Sequence, residues 1–116
     1  MEKRDFCLYV PTRREGYKVL RKRYSVEGGI FALAENILGE VGKVYLFDGD
    51  VRVLCDGAEV PLPQMEPGTM LAFGKPESEA FGESDLLPEG ELLKVTSVTR
   101  RAVGSRRMHH TTLTLK

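Results

Sequence analysis

YSVEGGIFALAENILGEVG, residues 24–42, is the stretch on which the fold turns. Ile30, Leu33, Ala34, Ile37, Leu38 and Val41 recur at three- and four-residue spacing, which lines one face of a helix. Phe31 widens that stripe, while Glu35, Asn36 and Glu40 fall on the opposite side. Gly28 and Gly29 permit a sharp entry, and Gly39 or Gly42 can end the last turn in a left-handed conformation. The pattern predicts one amphipathic helix at about residues 29–41. No other segment keeps a helical period for as long, so the rest of the chain is expected to pack on its apolar face.

Outward from that segment the chain reads as strands. FCLYV, residues 6–10, is a β-branched and aromatic run that stops at Pro11. Residues 17–26 alternate and lead into the helix, with Arg21, Lys22 and Arg23 as a basic cluster. That cluster fits a solvated edge that discourages strand pairing, or a docking surface. KVYLF, VRVLC and EVPL follow, separated by Asp48-Gly49-Asp50 and Asp56-Gly57. Asp-Gly between apolar runs favours type I′ hairpins, so a β-meander is expected here. Turn chemistry accounts for these aspartates without a metal or a catalytic role.

Pro61, Pro63 and Pro67 mark a loop before a strand at residues 70–73. Residues 74–90 are acidic and bear Gly and Pro, the composition of a mobile surface loop, with Ala80, Phe81, Leu86 and Leu87 as apolar anchors. Residues 91–116 form a long hairpin whose tip carries Arg100, Arg101, Arg106 and Arg107, followed by His109 and His110. The expected fold is α+β: mainly antiparallel strands in a small sheet or open barrel, with the helix closing one face. One domain spans residues 1–116.

A chain of 116 residues can bury a core without disulfide staples. No run approaches the ~18 apolar residues of a membrane-spanning helix, and residues 1–11 are too polar for a secretory signal. Cys7 and Cys55 are too few for a secreted disulfide scaffold. The expected setting is cytoplasmic, without membrane contact. The net charge of zero conceals segregation: residues 1–23 carry +5, residues 24–91 carry −11, and residues 92–116 carry +6 with no acid. Such asymmetry bears on partners more than on fold.

Cys7, Cys55, His109 and His110 are the only soft metal ligands, and no zinc-type spacing joins them. There is no nucleophile elbow, phosphate loop or dinucleotide fingerprint. The sequence therefore points to no cofactor, no metal and no enzyme. The arginine-tipped hairpin is the sharpest feature. A basic two-stranded arm suits acidic surfaces of other subunits, or it can track a phosphate backbone. Against nucleic acid, the arm lacks a stacking aromatic and the domain as a whole is not basic.

Tyr24, Val26, Gly28, Phe31, Leu33 and Ala34 resemble the opening of a LysM domain, and Pro67-Gly68-Thr69-Met70-Leu71 resembles the start of that family's closing strand. The resemblance covers residues 24–73 and implies a glycan-binding module. Gly29 and Ile30 stand where the family has Asp-Thr, and no sugar-binding residue carries over. VTSVTRRAVGSRRMHHTTLTL separately resembles the terminal hairpins of phage baseplate-hub and late-control proteins. Together the two resemblances imply a non-enzymatic tail or baseplate component, assembled into a virion or injection machine as a homo-oligomer or within a larger assembly. Its expected docking residues are Arg100, Arg101, Arg106, Arg107 and His109 of the hairpin, with Arg21, Lys22 and Arg23. A nucleic-acid-binding domain is the alternative, and a LysM-like glycan binder the third reading.

Overall fold

The computed structural model describes residues 1–34, 39–74 and 82–116. Two long strands dominate it, β1 (Glu2–Glu15) and β2 (Lys18–Leu33). They form a hairpin that turns at Gly16, whose φ is +61°. The register runs from Glu15↔Lys18 at the turn to Glu2↔Phe31. β3 (Gly42–Phe47), β4 (Arg52–Cys55), β5 (Ala58–Glu59), β6 (Met70–Phe73), β7 (Glu83–Ser84), β8 (Leu93–Arg101) and β9 (His110–Leu115) follow, with one 3-10 turn at Arg106–Met108.

The pairings close on themselves. β1 pairs β2, β2 pairs β3, β3 pairs β9, β9 pairs β8, β8 pairs β6, and β6 returns to β1. All six ladders are antiparallel, so the chain makes a closed six-stranded barrel. Alternate residues point inward, as a period of two requires. Phe6 and Leu8 of β1, Val26 of β2, Val44 and Leu46 of β3, Leu71 of β6, and Leu113 and Leu115 of β9 are almost wholly buried there.

The expected helix at residues 29–41, and with it the α+β class, is overturned. Residues 29–33 continue β2, Ala34 N–H donates to the Val41 carbonyl, and Val41 N–H donates to that of Leu115. Residues 35–38, the middle of the expected helix, lie outside the described residues. The described residues hold no α-helix. The physical reason is double pairing: Ile30 and Phe31 face Lys3 and Glu2 of β1 on one edge, Tyr45 and Val44 of β3 on the other. A strand flanked on both edges has its backbone bonds committed to its neighbours, so the helical spacing of its apolar residues goes unused.

Gly29 belongs to that arrangement. A Cβ there would stand 2.8 Å from Phe6 Cε1 and 3.1 Å from Val44 Cγ1, so the missing side chain is the space the Phe6 ring occupies. Gly28 beside it has φ +88°, and a Cβ would lie 2.3 Å from the Asp50 carbonyl oxygen.

The two Asp-Gly turns diverge. Asp56 (φ 51°) and Gly57 (φ 80°) make the tight hairpin that joins β4 to β5. Asp48-Gly49-Asp50 does not reverse the chain. β3 and β4 run in the same direction along one edge of β2, and these residues are a jog between them opposite Gly28. Of the acidic stretch 74–90, residues 75–81 lie outside the described residues, Ala80 and Phe81 among them. Glu83 and Ser84 pair with Lys22 and Arg21 of β2.

Gly29→Ala is expected to lower stability by about 1–3 kcal/mol, the usual cost of overpacking a filled core. Gly49→Ala, which meets open space, should change it by less than about 0.5 kcal/mol. Urea midpoints of the two variants check this; equal midpoints would contradict the packing described.

Candidate functional site

β8 begins in the barrel wall and loses its β6 partner after Lys94, while β9 stays in the wall against β3. Leu93, Leu113 and Leu115 are buried, whereas every residue from Thr96 to Arg101 is exposed. The ladder from Val95↔Leu115 to Arg101↔His110 carries an irregularity between Val95 and Ser97, at the root of the exposed part. Beyond it β8 is the outer strand of the ribbon, and the inner strand stays in the barrel wall, because β9 remains paired with β3 from His110 to Leu115. Its far end closes through Arg106–Met108, where Met108 N–H donates to the Ser105 carbonyl and His109 N–H to that of Arg106.

The four arginines of this ribbon are not equivalent. Both terminal nitrogens of Arg100 donate to the two carboxylate oxygens of Asp48, and Nη1 also lies 3.4 Å from Thr111 Oγ1. This bidentate pair ties the ribbon to the β3–β4 jog. The Arg100 hydrogen bonds hold the Asp48 carboxyl below its ordinary value, with smaller help from the charges of Arg100, His109 and His110. Arg100 is correspondingly raised by the same bond. Arg101, Arg106 and Arg107 form no ion pair among the described residues, and all three are exposed. Arg106, Arg107 and His109 line a cleft of about 950 Å³ together with Arg100 and residues 48–50.

Three apolar side chains stand exposed on the same ribbon: Val98, Val103 and Met108. Sequence reading weighted the charges and passed over these, although V-x-x-V and R-R-M were there to be read. His110 is packed. Its ring centroid lies 4.9 Å from that of Phe47, and Nδ1 lies 2.8 Å from the Met108 carbonyl oxygen.

The other expected cluster lies elsewhere. Arg21, Lys22 and Arg23 are within β2, opposite Pro11, Val10 and Tyr9 of β1, and each is half-buried. Arg21 Nη1 donates to the Val19 carbonyl at 3.5 Å, while its buried Nε has no hydrogen-bond partner among the described residues. Arg23 acts electrostatically on Tyr9 and Cys55, opposing the burial that raises both. Nor is the β1–β2 tip a free cationic arm. Arg13 pairs with Glu83 at 2.9 Å and Glu15 at 3.3 Å, and Lys18 pairs with Asp85 at 3.6 Å. The only uncovered aromatic at that tip is Tyr17.

Among the described residues, no three His, Cys, Asp or Glu side chains gather as a metal site would require. Cys7 and Cys55 are buried free thiols. No helix of the described residues is long and apolar enough to cross a membrane. In comparison with known proteins, no family model, curated protein or solved structure matches the chain.

The Arg100–Asp48 pair makes a prediction about pH. A carboxyl whose folded pKa is depressed adds stability that is complete above about pH 4, the ordinary aspartate value, and is lost as pH falls through the folded value. Both side chains are nearly half exposed, so the effect is small. Thermal melts should find wild type more stable than Asp48→Asn at neutral pH, with the gap narrowing as pH falls below about 4. A gap that persists in acid would assign the difference to something other than this pair.

Proposed function

We propose that the protein is a non-enzymatic assembly module that docks neighbouring subunits through the β8–β9 ribbon. The observation that carries this reading is the pairing on one exposed ribbon of three guanidinium groups, Arg101, Arg106 and Arg107, with Val98, Val103 and Met108. Arginine beside uncovered apolar surface is the composition of a protein interface. A nucleic-acid arm needs cations and stacking aromatics, and residues 93–115 contain no Phe, Tyr or Trp.

The partner surface is acidic, and copies of this chain qualify because residues 24–91 carry −11. A ring built by basic ribbon on acidic neighbour would be a heterologous interface that closes. The C-terminal resemblance to baseplate and late-control hairpins supports a tail-type assembly, within a virion or injection machine, as the setting. Arg21, Lys22 and Arg23 are set aside from the docking surface in this reading, since they lie in the sheet, and Arg100 serves to hold the ribbon.

The test is light scattering coupled to size exclusion at low salt, on wild type and on the Arg101→Glu/Arg106→Glu/Arg107→Glu variant. Arg100 is retained so that the tie to Asp48 survives. The wild type should show a concentration-dependent mass above the monomer, lost in the variant and weakened by salt. A monomer in both cases overturns the reading. Retention of a DNA or RNA duplex that falls steeply with salt would replace it with the nucleic-acid alternative.

A further inference from the structure

β6 is the short stave of the barrel, and what it leaves uncovered is informative. It pairs with Phe6, Cys7, Leu8 and Tyr9 of β1 on one side, and with Leu93 and Lys94 of β8 on the other. Past Met70 both neighbours run on in the same direction, β1 to Glu15 and β8 to Arg101. The wall is therefore notched above β6, with one strand edge on each side.

The two edges are treated differently. Beyond Val10, β1 contains Pro11, shifts register between Pro11 and Arg13, and carries charge at Arg13, Arg14 and Glu15. Loop residues also lie against it: a Cβ on Gly68 would sit 3.5 Å from Pro11 Cγ. Proline, a bulge and charge are the usual devices that prevent edge pairing. β5 and β7, the other outer strands, are two residues each. β8 has no proline, its irregularity lies at the root between Val95 and Ser97, and its charge is confined to Arg100 and Arg101, so Ser97–Thr99 is left unguarded. Val95 N–H donates to the Thr69 carbonyl, and after that no described residue pairs with the edge. Residues 96–101 are Thr-Ser-Val-Thr-Arg-Arg, with neither proline nor acid. β9 is already paired with β3 on its other side, so Thr96–Arg101 is the outer edge of a formed sheet, a template for one more strand.

From this geometry, and resting on the docking role above, we infer that β8 accepts an extra strand: an extended acidic segment of a neighbouring subunit adds along Thr96–Arg101. Main-chain hydrogen bonds supply the binding over a length of about 20 Å. Arg101, together with Arg106 and Arg107 at the far end, selects acidic side chains. Val98, which is 47% exposed, offers an apolar contact on one face. Two β8 edges pairing with each other would instead bring two arginine-rich ribbons into one sheet, an arrangement that like charge opposes.

The probe is an eight-residue peptide alternating glutamate with valine and threonine, compared with the same peptide N-methylated at every second residue. Hydrogen exchange and fluorescence anisotropy are read on the full chain. The parent peptide should slow amide exchange within residues 96–101 and leave residues 10–15 unchanged. N-methylation should weaken binding by about tenfold, the loss of two or three main-chain hydrogen bonds. If N-methylation has no effect while the triple arginine variant loses binding, the ribbon docks by charge alone: strand addition fails and the assembly reading stands. If neither change matters, both fail. Protection of residues 96–101 that rises with protein concentration without peptide, and is strengthened by salt, would assign the edge to β8–β8 pairing relieved of its like charge and overturn the acidic-strand occupant.

Discussion

β2 is held on both edges along most of its length, and the rest of the structure follows from that constraint. On one side it follows β1 from Lys18 to Phe31. On the other it receives β3 at residues 30–33, β4 at 25–27 and β7 at 21–22 in succession. A backbone whose donors and acceptors are committed on both sides cannot make helical bonds. Closure needs β1 and β2 as the seam where the last ladder meets the first. Gly28 and Gly29 serve this seam, one giving room to the Asp50 carbonyl and the other to the Phe6 ring. Phe31 and Phe73 meet edge-on at 4.9 Å near that end, and the Arg4 guanidinium lies 4.1 Å over the Phe73 ring.

A closed barrel removes strand edges only where its staves are equally long. Here they are not. β1, β2 and β8 overrun the short β6, and the excess becomes the β1–β2 ribbon and an exposed edge of β8, whose partner β9 stays paired with β3. The β1–β2 ribbon is anchored by its own ion pairs to Glu83 and Asp85. The β8–β9 ribbon is held by the β9–β3 ladder and by Arg100 on Asp48, while its other arginines, Val98, Val103 and Met108 are exposed. Chain-wide neutrality thus hides a local choice. Some of the opposite charges are matched within the molecule, and those at the C-terminal tip form no ion pair among the described residues.

Some of this was legible in the residues. The β8–β9 hairpin with its arginine tip follows from alternation on either side of a glycine turn. Asp56-Gly57 forms the tight hairpin that its sequence calls for, with φ positive at both residues. Asp48-Gly49-Asp50 has the same local signal and a different outcome, because β4 continues along β2 instead of folding back on β3. The choice rests on a ladder with residues 25–27, far upstream, which no turn propensity encodes. The segment 29–41 shows the same ambiguity from the other direction. Its apolar spacing satisfies a helix, but two flanking strands and the space left by Gly29 satisfy a barrel better.

The sequence by itself determined where the charge lies, which runs can be strands, and which turns need glycine, because these depend on side chains and their immediate neighbours. Only the tertiary structure decided that residues 29–33 are strand and that the ladders close into a barrel. It also decided that Arg100 is engaged by Asp48 while Arg101, Arg106 and Arg107 form no ion pair among the described residues. Each of those outcomes depends on partners distant in the chain; Asp48 and Arg100 are 52 residues apart. A local pattern can say that a group is able to pair, and the fold alone brings its partner within reach.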